Sequence, residues 1–200
     1  MQPEPEQPSS PEPRDVAQAV GRLMRGDDLE KVANELRVSA ATLLAWLDKI
    51  VAPESLRPLL ENMAAEFGYT GKADHRFDLS ELGSYRKAYN PDCVWFAGEA
   101  TDENTVAVFE VDGDGVPPKH RAGAAALANV VALKYPTRQV RYFSITPGTR
   151  RGLATSTVEV LKKYLGDKWA LTATVIGTFN PRDIRQAIRA SLADEPTVRR

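Results

Sequence analysis

Cysteine is nearly absent from this chain: Cys93 is the single one in 200 residues, so no disulfide can form within it. Histidine is almost as scarce, with only His75 and His120, and the three soft ligands are scattered. A structural zinc site is not expected within one chain. Net charge is missing too. Lys+Arg number 26 and Asp+Glu 27, for a net charge of -1 at pH 7. The chain as a whole therefore has no electrostatic reason to seek nucleic acid or an anionic membrane, and any such partner must meet a local patch. No apolar run approaches the ~18 residues of a membrane span. The start lacks the basic residues and apolar stretch of a secretory leader. The expectation is a cytoplasmic protein with no membrane partner. Hydrophobic residues at 42% and charged residues at 26% are enough for a real core, in one domain or one domain plus a small module.

Composition changes along the chain. Residues 1–13 hold five prolines and three glutamates without Leu, Ile, Val or Phe, which reads as a disordered acidic tail. From 14 to 52 the pattern is helical, with Val16, Val20 and Leu23 at helical spacing. Asp27 with Glu30 three positions later reads as a capping box opening one helix, and Ser39 as the cap of another. Residues 53–200 carry 20 Lys/Arg against 18 Asp/Glu. Their β-branched runs alternate with helical segments, which predicts an α/β fold with a mixed sheet flanked by helices.

The segment LEKVANELRVSAATLLAWLDKI resembles a helix-turn-helix unit. Val32, Leu36, Val38, Leu43 and Trp46 fall where that motif buries apolar residues, and Ala33 falls where two helices cross closely. Arg37 departs from it, since the turn usually carries glycine. The unit is electrically neutral, with six basic and six acidic residues over 14–52. Phosphate neutralisation dominates DNA affinity, so it should bind weakly alone. Ser39, Thr42 and Lys49 are its candidate donors to DNA. The other reading is a dimerisation module with Leu44 in the contact.

The chemistry concentrates between residues 91 and 121. PDCVWFAG and TVAVFEVD read as two consecutive buried strands. Alternation puts Val106, Val108, Glu110 and Asp112 on one face of the second. A hairpin between them brings Asp92, at the start of the first, beside Glu110 and Asp112 at the end of the second. Three converging carboxylates call for a cation, and an all-oxygen ligand set suits Mg²⁺ or Mn²⁺.

Pro91-Asp92, then 17 intervening residues, then Glu110-Val111-Asp112 resemble the motif of the PD-(D/E)XK, or restriction-endonuclease-like, nuclease superfamily. The resemblance spans about residues 54–146 and implies an αβββαβ core. It also implies metal-assisted phosphodiester hydrolysis in DNA, with Asp92, Glu110 and Asp112 as metal ligands. A catalytic cation would come from Lys119, or second from Arg121, because Asp112 occupies the family's lysine position. Arg121, Arg150 and Arg151 are the candidate phosphate contacts, and Arg182, Arg185 and Arg189 share a helix face that suits the same use. A homodimer would suit cleavage of two strands. Two alternatives remain open: a non-catalytic DNA-binding or regulatory protein on the same fold, and a self-associating interaction protein.

Overall fold

The computed structural model describes residues 13–50, 53–82, 88–113, 115–136 and 138–193. The expected acidic tail lies almost wholly outside them. The chain divides into two compact units, Met1–Ile50 and Val51–Arg200.

The first unit is three helices: α1 Pro13–Met24, α2 Leu29–Glu35 and α3 Ala40–Ile50. Ala19, Val20, Leu23, Val32, Ala33, Leu43 and Leu47 are buried, while Leu36, Val38 and Trp46 are half-buried. The N-cap of α2 is Asp28, not Asp27: the Asp28 carboxylate accepts from the Lys31 N–H at 3.0 Å. Asp27 turns back to Arg22 instead, at 2.8 Å. An arginine within reach outcompetes a second backbone donor, because a charge-assisted bond is stronger. The α2 C-terminus closes with Arg37 N–H on the Asn34 carbonyl and Val38 N–H on the Ala33 carbonyl. This paired closure needs a left-handed residue. Arg37 supplies it at φ 56°, where a Cβ costs roughly 1–2 kcal/mol.

The second unit contains α4 Pro53–Glu66, β1 Thr70–Ala73, β2 Phe77–Asp78, β3 Ala88–Tyr89, β4 Cys93–Phe96 and β5 Thr105–Val111. It continues with α5 Pro118–Lys134, β6 Arg141–Ile145, α6 Arg151–Leu165, β7 Thr172–Ile176 and α7 Pro181–Ala193. The main sheet has the order β1-β4-β5-β6-β7. β1, β4 and β5 pair antiparallel; β5, β6 and β7 pair parallel. β2 and β3 form a separate two-stranded ribbon.

Helices cover both faces of the sheet. On one face Val94, Phe96, Val108 and Tyr142 pack with Ala125, Ala128, Val131 and Ala132 of α5 and Val158 of α6. The small α5 residues let that helix lie close. On the other face Trp95, Phe109 and Phe143 form a row with ring centroids 4.7 and 4.9 Å apart. The Trp95 indole N–H donates to the Leu60 carbonyl of α4 at 2.9 Å. α4 also presses on the edge strand at Gly71, where a Cβ would stand 2.3 Å from the Glu61 carbonyl oxygen. Any side chain there would push helix and strand apart.

Pro58 lies in the second turn of α4, which starts at Pro53. α6 starts at Arg151, and Thr149 belongs to a preceding 3₁₀ turn. The basic face of α7 departs from its expected use as a phosphate track. Arg185 grips Glu66 at 2.9 Å and Arg189 lies over the Phe67 ring at 5.8 Å. Among the described residues, no helix is long and apolar enough to cross a membrane.

Candidate active site

The β4–β5 hairpin places the acid groups. Its register sets Cys93 opposite Phe109, so Asp92 arrives beside Glu110, and its own N–H donates to the Phe109 carbonyl at 3.1 Å. Asp112 follows β5 directly and is pinned to the next strand by its N–H on the Ile145 carbonyl at 2.8 Å. Asp92, Glu110 and Asp112 thus share one end of the sheet, as the alternation of TVAVFEVD predicts.

Each carboxylate meets different partners. Asp92 Oδ2 accepts from the Val111 N–H at 2.7 Å. Its Oδ1 accepts from Arg57 of α4, with Nε at 2.7 Å and Nη2 at 2.6 Å. Asp112 Oδ2 accepts from Arg121 Nε at 2.9 Å. Arg121 also donates to the Gly113 carbonyl at 3.3 Å and to Thr146 Oγ1 at 3.4 Å. Glu110 Oε1 accepts from the Tyr89 hydroxyl at 2.6 Å, and among the described residues no arginine pairs with it.

The protonation equilibria follow. Burial pushes the Glu110 carboxyl up to about 8; the Tyr89 bond opposes this and the charges of Asp92 and Asp112 add to it. Asp112 is raised as well, chiefly by burial, with Arg121 offsetting part. The Tyr89 hydroxyl is raised by its own burial and by the Glu110 charge. A carboxyl that holds its proton to such a pH is one that a cation would stabilise in its ionised form.

The three carboxylates do not form the shared cation cage that the sequence predicts. Among the described residues, no group of three or more His, Cys, Asp or Glu side chains stands so as to hold a metal ion. Both oxygens of Asp92 are engaged, one of them by a guanidinium. Glu110 and Asp112 remain. Both line a cleft of about 600 Å³ together with Arg76, Asn90, Lys119 and His120. Mg²⁺ in general keeps several waters and takes one or two protein carboxylates.

Lys119 and His120 are exposed in the first turn of α5, and both line the cleft. Arg121 is 3% exposed and occupied by Asp112, which corrects its expected role as an open phosphate contact. Its Nη1 is buried without a hydrogen-bond partner. Arg150 and Arg151 are exposed where α6 begins, beyond the same end of the parallel strands. Arg151 lays its aliphatic stem over Gly177, where a Cβ would meet it at 2.5 Å.

In the first unit, Ser39 Oγ accepts from the Thr42 N–H at 3.0 Å, and the two hydroxyls are 2.8 Å apart. Both side chains thus serve the α3 cap first. The Lys49 side chain lies outside what the structure describes.

No protein-family model, no curated protein and no solved structure matches this chain. The site therefore rests on its own geometry. Arg57, Tyr89, Arg76 and His120 were not singled out from sequence as site residues. Tyr89 stands three residues before Asp92 and next to Asn90-Pro91, and that proximity was the one available signal. Arg57 lies 35 residues upstream of Asp92 on another element, and nothing in the string links the two.

Proposed function

We propose that the second unit is a metal-dependent nuclease on a restriction-endonuclease-like scaffold, hydrolysing phosphodiester bonds in DNA. The order α4, β1, β4, β5, α5, β6 supports this reading: helix, antiparallel three-strand meander, helix, parallel strand is the αβββαβ core that the resemblance implies. The acid groups lie at the start of the second sheet strand and the end of the third, which supports the same reading. One observation carries the proposal. Glu110, which has no ion-pair partner among the described residues, and Asp112 line a cleft together with Lys119 and His120. Acid groups suited to a cation thus line the same cleft as a lysine suited to a phosphate.

Glu110 and Asp112 would hold the ion, Mg²⁺ or Mn²⁺. When bound, such an ion polarises a phosphate oxygen and makes its water a nucleophile near neutral pH. Tyr89 orients the Glu110 carboxylate, and Arg121 fixes that of Asp112. Lys119, at the cleft mouth, offsets the charge that builds on the phosphate oxygens. The neutral helical unit supplies a secondary DNA contact or a dimer contact through Leu44.

The test is supercoiled plasmid incubated with Mg²⁺ or Mn²⁺, and with chelator. The wild-type protein should nick it only with the metal. Glu110→Gln should lower the rate at least about 100-fold, the scale of losing a central electrostatic group. Cutting that survives this substitution removes the site. A second reading draws on the arginines at Asp92 and Asp112: binding without hydrolysis. Salt-sensitive retention on DNA without cutting would select it. A mass that rises with concentration and falls in Leu44→Glu, with neither cutting nor retention, would select a self-associating protein.

A further inference from the structure

The outer side of a surface helix ordinarily carries charged and polar residues, and α6 departs from that pattern. Val160 is 68% exposed, Tyr164 85% and Leu153 39%. With Thr157 they stand four, three and four residues apart, so the four follow a single line along the helix. The Thr157 hydroxyl donates to the Leu153 carbonyl at 2.8 Å, so its polar group is already satisfied within the helix. The fold is served by another side of α6, where Ala154 and Val158 are buried. Valine and tyrosine are also mediocre helix formers, so at exposed positions they cost helix stability without adding burial.

We propose that the outer face of α6 is a docking surface for an acidic amphipathic helix of a partner protein. Charge selects this occupant. Residues 150–168 include five basic and two acidic side chains, in a chain whose net charge is -1. Lys162 and Lys163 are exposed between Val160 and Tyr164 in sequence, and they flank the apolar line. A second copy of this chain does not suit the face. Antiparallel pairing of two α6 helices brings Arg151 of one toward Lys162 and Lys163 of the other, and parallel pairing brings lysine toward lysine. A nucleic acid suits it less than a protein does: phosphates have no use for Leu153 and Val160, and the carboxyl end of a helix is its negative pole. The 15 residues of α6 span about 22 Å, room for three to four turns of a helix laid alongside. Leu153, Val160 and Tyr164 then pack on the partner's apolar stripe, and Lys162 and Lys163 meet its carboxylates. The inference is independent of the nuclease reading and needs no metal.

Fluorescence anisotropy decides this, with a labelled synthetic helical peptide that carries leucine along one face and glutamate on both flanks. The protein should bind it, and should not bind the same peptide with lysine in place of glutamate. Tyr164→Ala and Val160→Ser should each weaken binding at least about tenfold, the scale of losing a central contact. Lys162→Gln together with Lys163→Gln should weaken it about threefold and flatten its dependence on salt. The melting temperature should hold in all of these variants, because the positions are exposed. Binding of both peptides alike, or of neither, overturns the inference. A single-stranded DNA oligonucleotide that binds wild type but not Tyr164→Ala overturns it in favour of a nucleic acid. A mass that rises with concentration and falls in Val160→Ser overturns it in favour of a second copy. A melting temperature that drops in Val160→Ser overturns it as well, because the residue would then serve the fold. Plasmid cutting by these variants should match wild type, so the nuclease reading stands or falls separately.

Discussion

Asp102 precedes the amino end of β5 and Glu110 stands near its carboxyl end, and the two carboxylates are held in opposite ways. Asp102 is saturated. Its Oδ1 pairs with His75 Nε2 at 2.8 Å and its Oδ2 accepts from the Tyr135 hydroxyl at 3.2 Å. His75 is itself clamped edge-on between Phe77 and Phe96, at 4.7 and 4.9 Å between centroids. That end of the strand is a closed polar joint inside an aromatic packing. At the other end three carboxylates meet two guanidinium groups and one tyrosine, and Glu110, at a cleft, is the one that burial holds in its protonated form. Where an acid group serves the fold, its partners are complete. Where one is left short beside open space, burial shifts its proton affinity, a property that functional sites share with some structural ones.

The largest way to break this comparison is to remove a partner where the charge is buried. Arg121→Met leaves Asp112 desolvated and unpaired, and should cost about 3–5 kcal/mol in urea denaturation. Adding Asp112→Asn should recover most of the loss. A cost below about 1 kcal/mol would show that this pair behaves like an exposed one.

The next test is the pH dependence of stability. Glu110 titrates at about 8 in the fold against an ordinary 4.5. Between these values the native state keeps a proton that the unfolded chain has lost. Stability should therefore fall as pH rises through that window and level off above it, by roughly 2–4 kcal/mol. Glu110→Gln should flatten that part of the profile and be the more stable protein at pH 8.5. Mg²⁺ should raise the melting temperature of wild type more at pH 8.5 than at pH 6. A wild-type profile that coincides with that of Glu110→Gln would contradict the assignment.

Smaller effects sharpen the contrast. Asp102→Ala strands His75 Nε2 and the Tyr135 hydroxyl and should cost about 1–3 kcal/mol. It should leave Mn²⁺ affinity unchanged, because that joint is purely structural. Lys119→Gln, at an exposed cleft position, should move stability by less than about 0.5 kcal/mol while slowing cleavage. If the two substitutions exchanged their effects, the division between the ends of β5 would be wrong.

Much of the scaffold was legible because its signals are local. The β-branched runs of β5 and β7, the apolar run of β4 and the Asn180-Pro181 start of α7 each announce themselves within a few residues. The convergence of Asp92 on Glu110 followed from a hairpin and a period of two. The edge strand β1 was not legible, since Thr70-Gly71-Lys72-Ala73 is short and polar and pairs on one side only. Neither was the partnering of the acids. Glu110 bonds to Tyr89, while Arg121 goes to Asp112 and Arg141 to the Ser191 carbonyl of α7. Which cation reaches which acid depends on how helices lie across a sheet, and the one-dimensional pattern carries none of that. Arg37 shows the same limit on a smaller scale: a non-glycine residue holds a left-handed turn because the closure around it fixes the backbone.

The most direct measurement is an NMR titration of the Glu110 side-chain carboxyl with and without Mg²⁺. The account predicts a midpoint near 8 that moves down when the ion is added, as the cation takes the place of the proton. A midpoint near 4.5 that Mg²⁺ leaves untouched would mean that Glu110 is an ordinary solvated acid and that the cleft has no shortage of positive charge to fill.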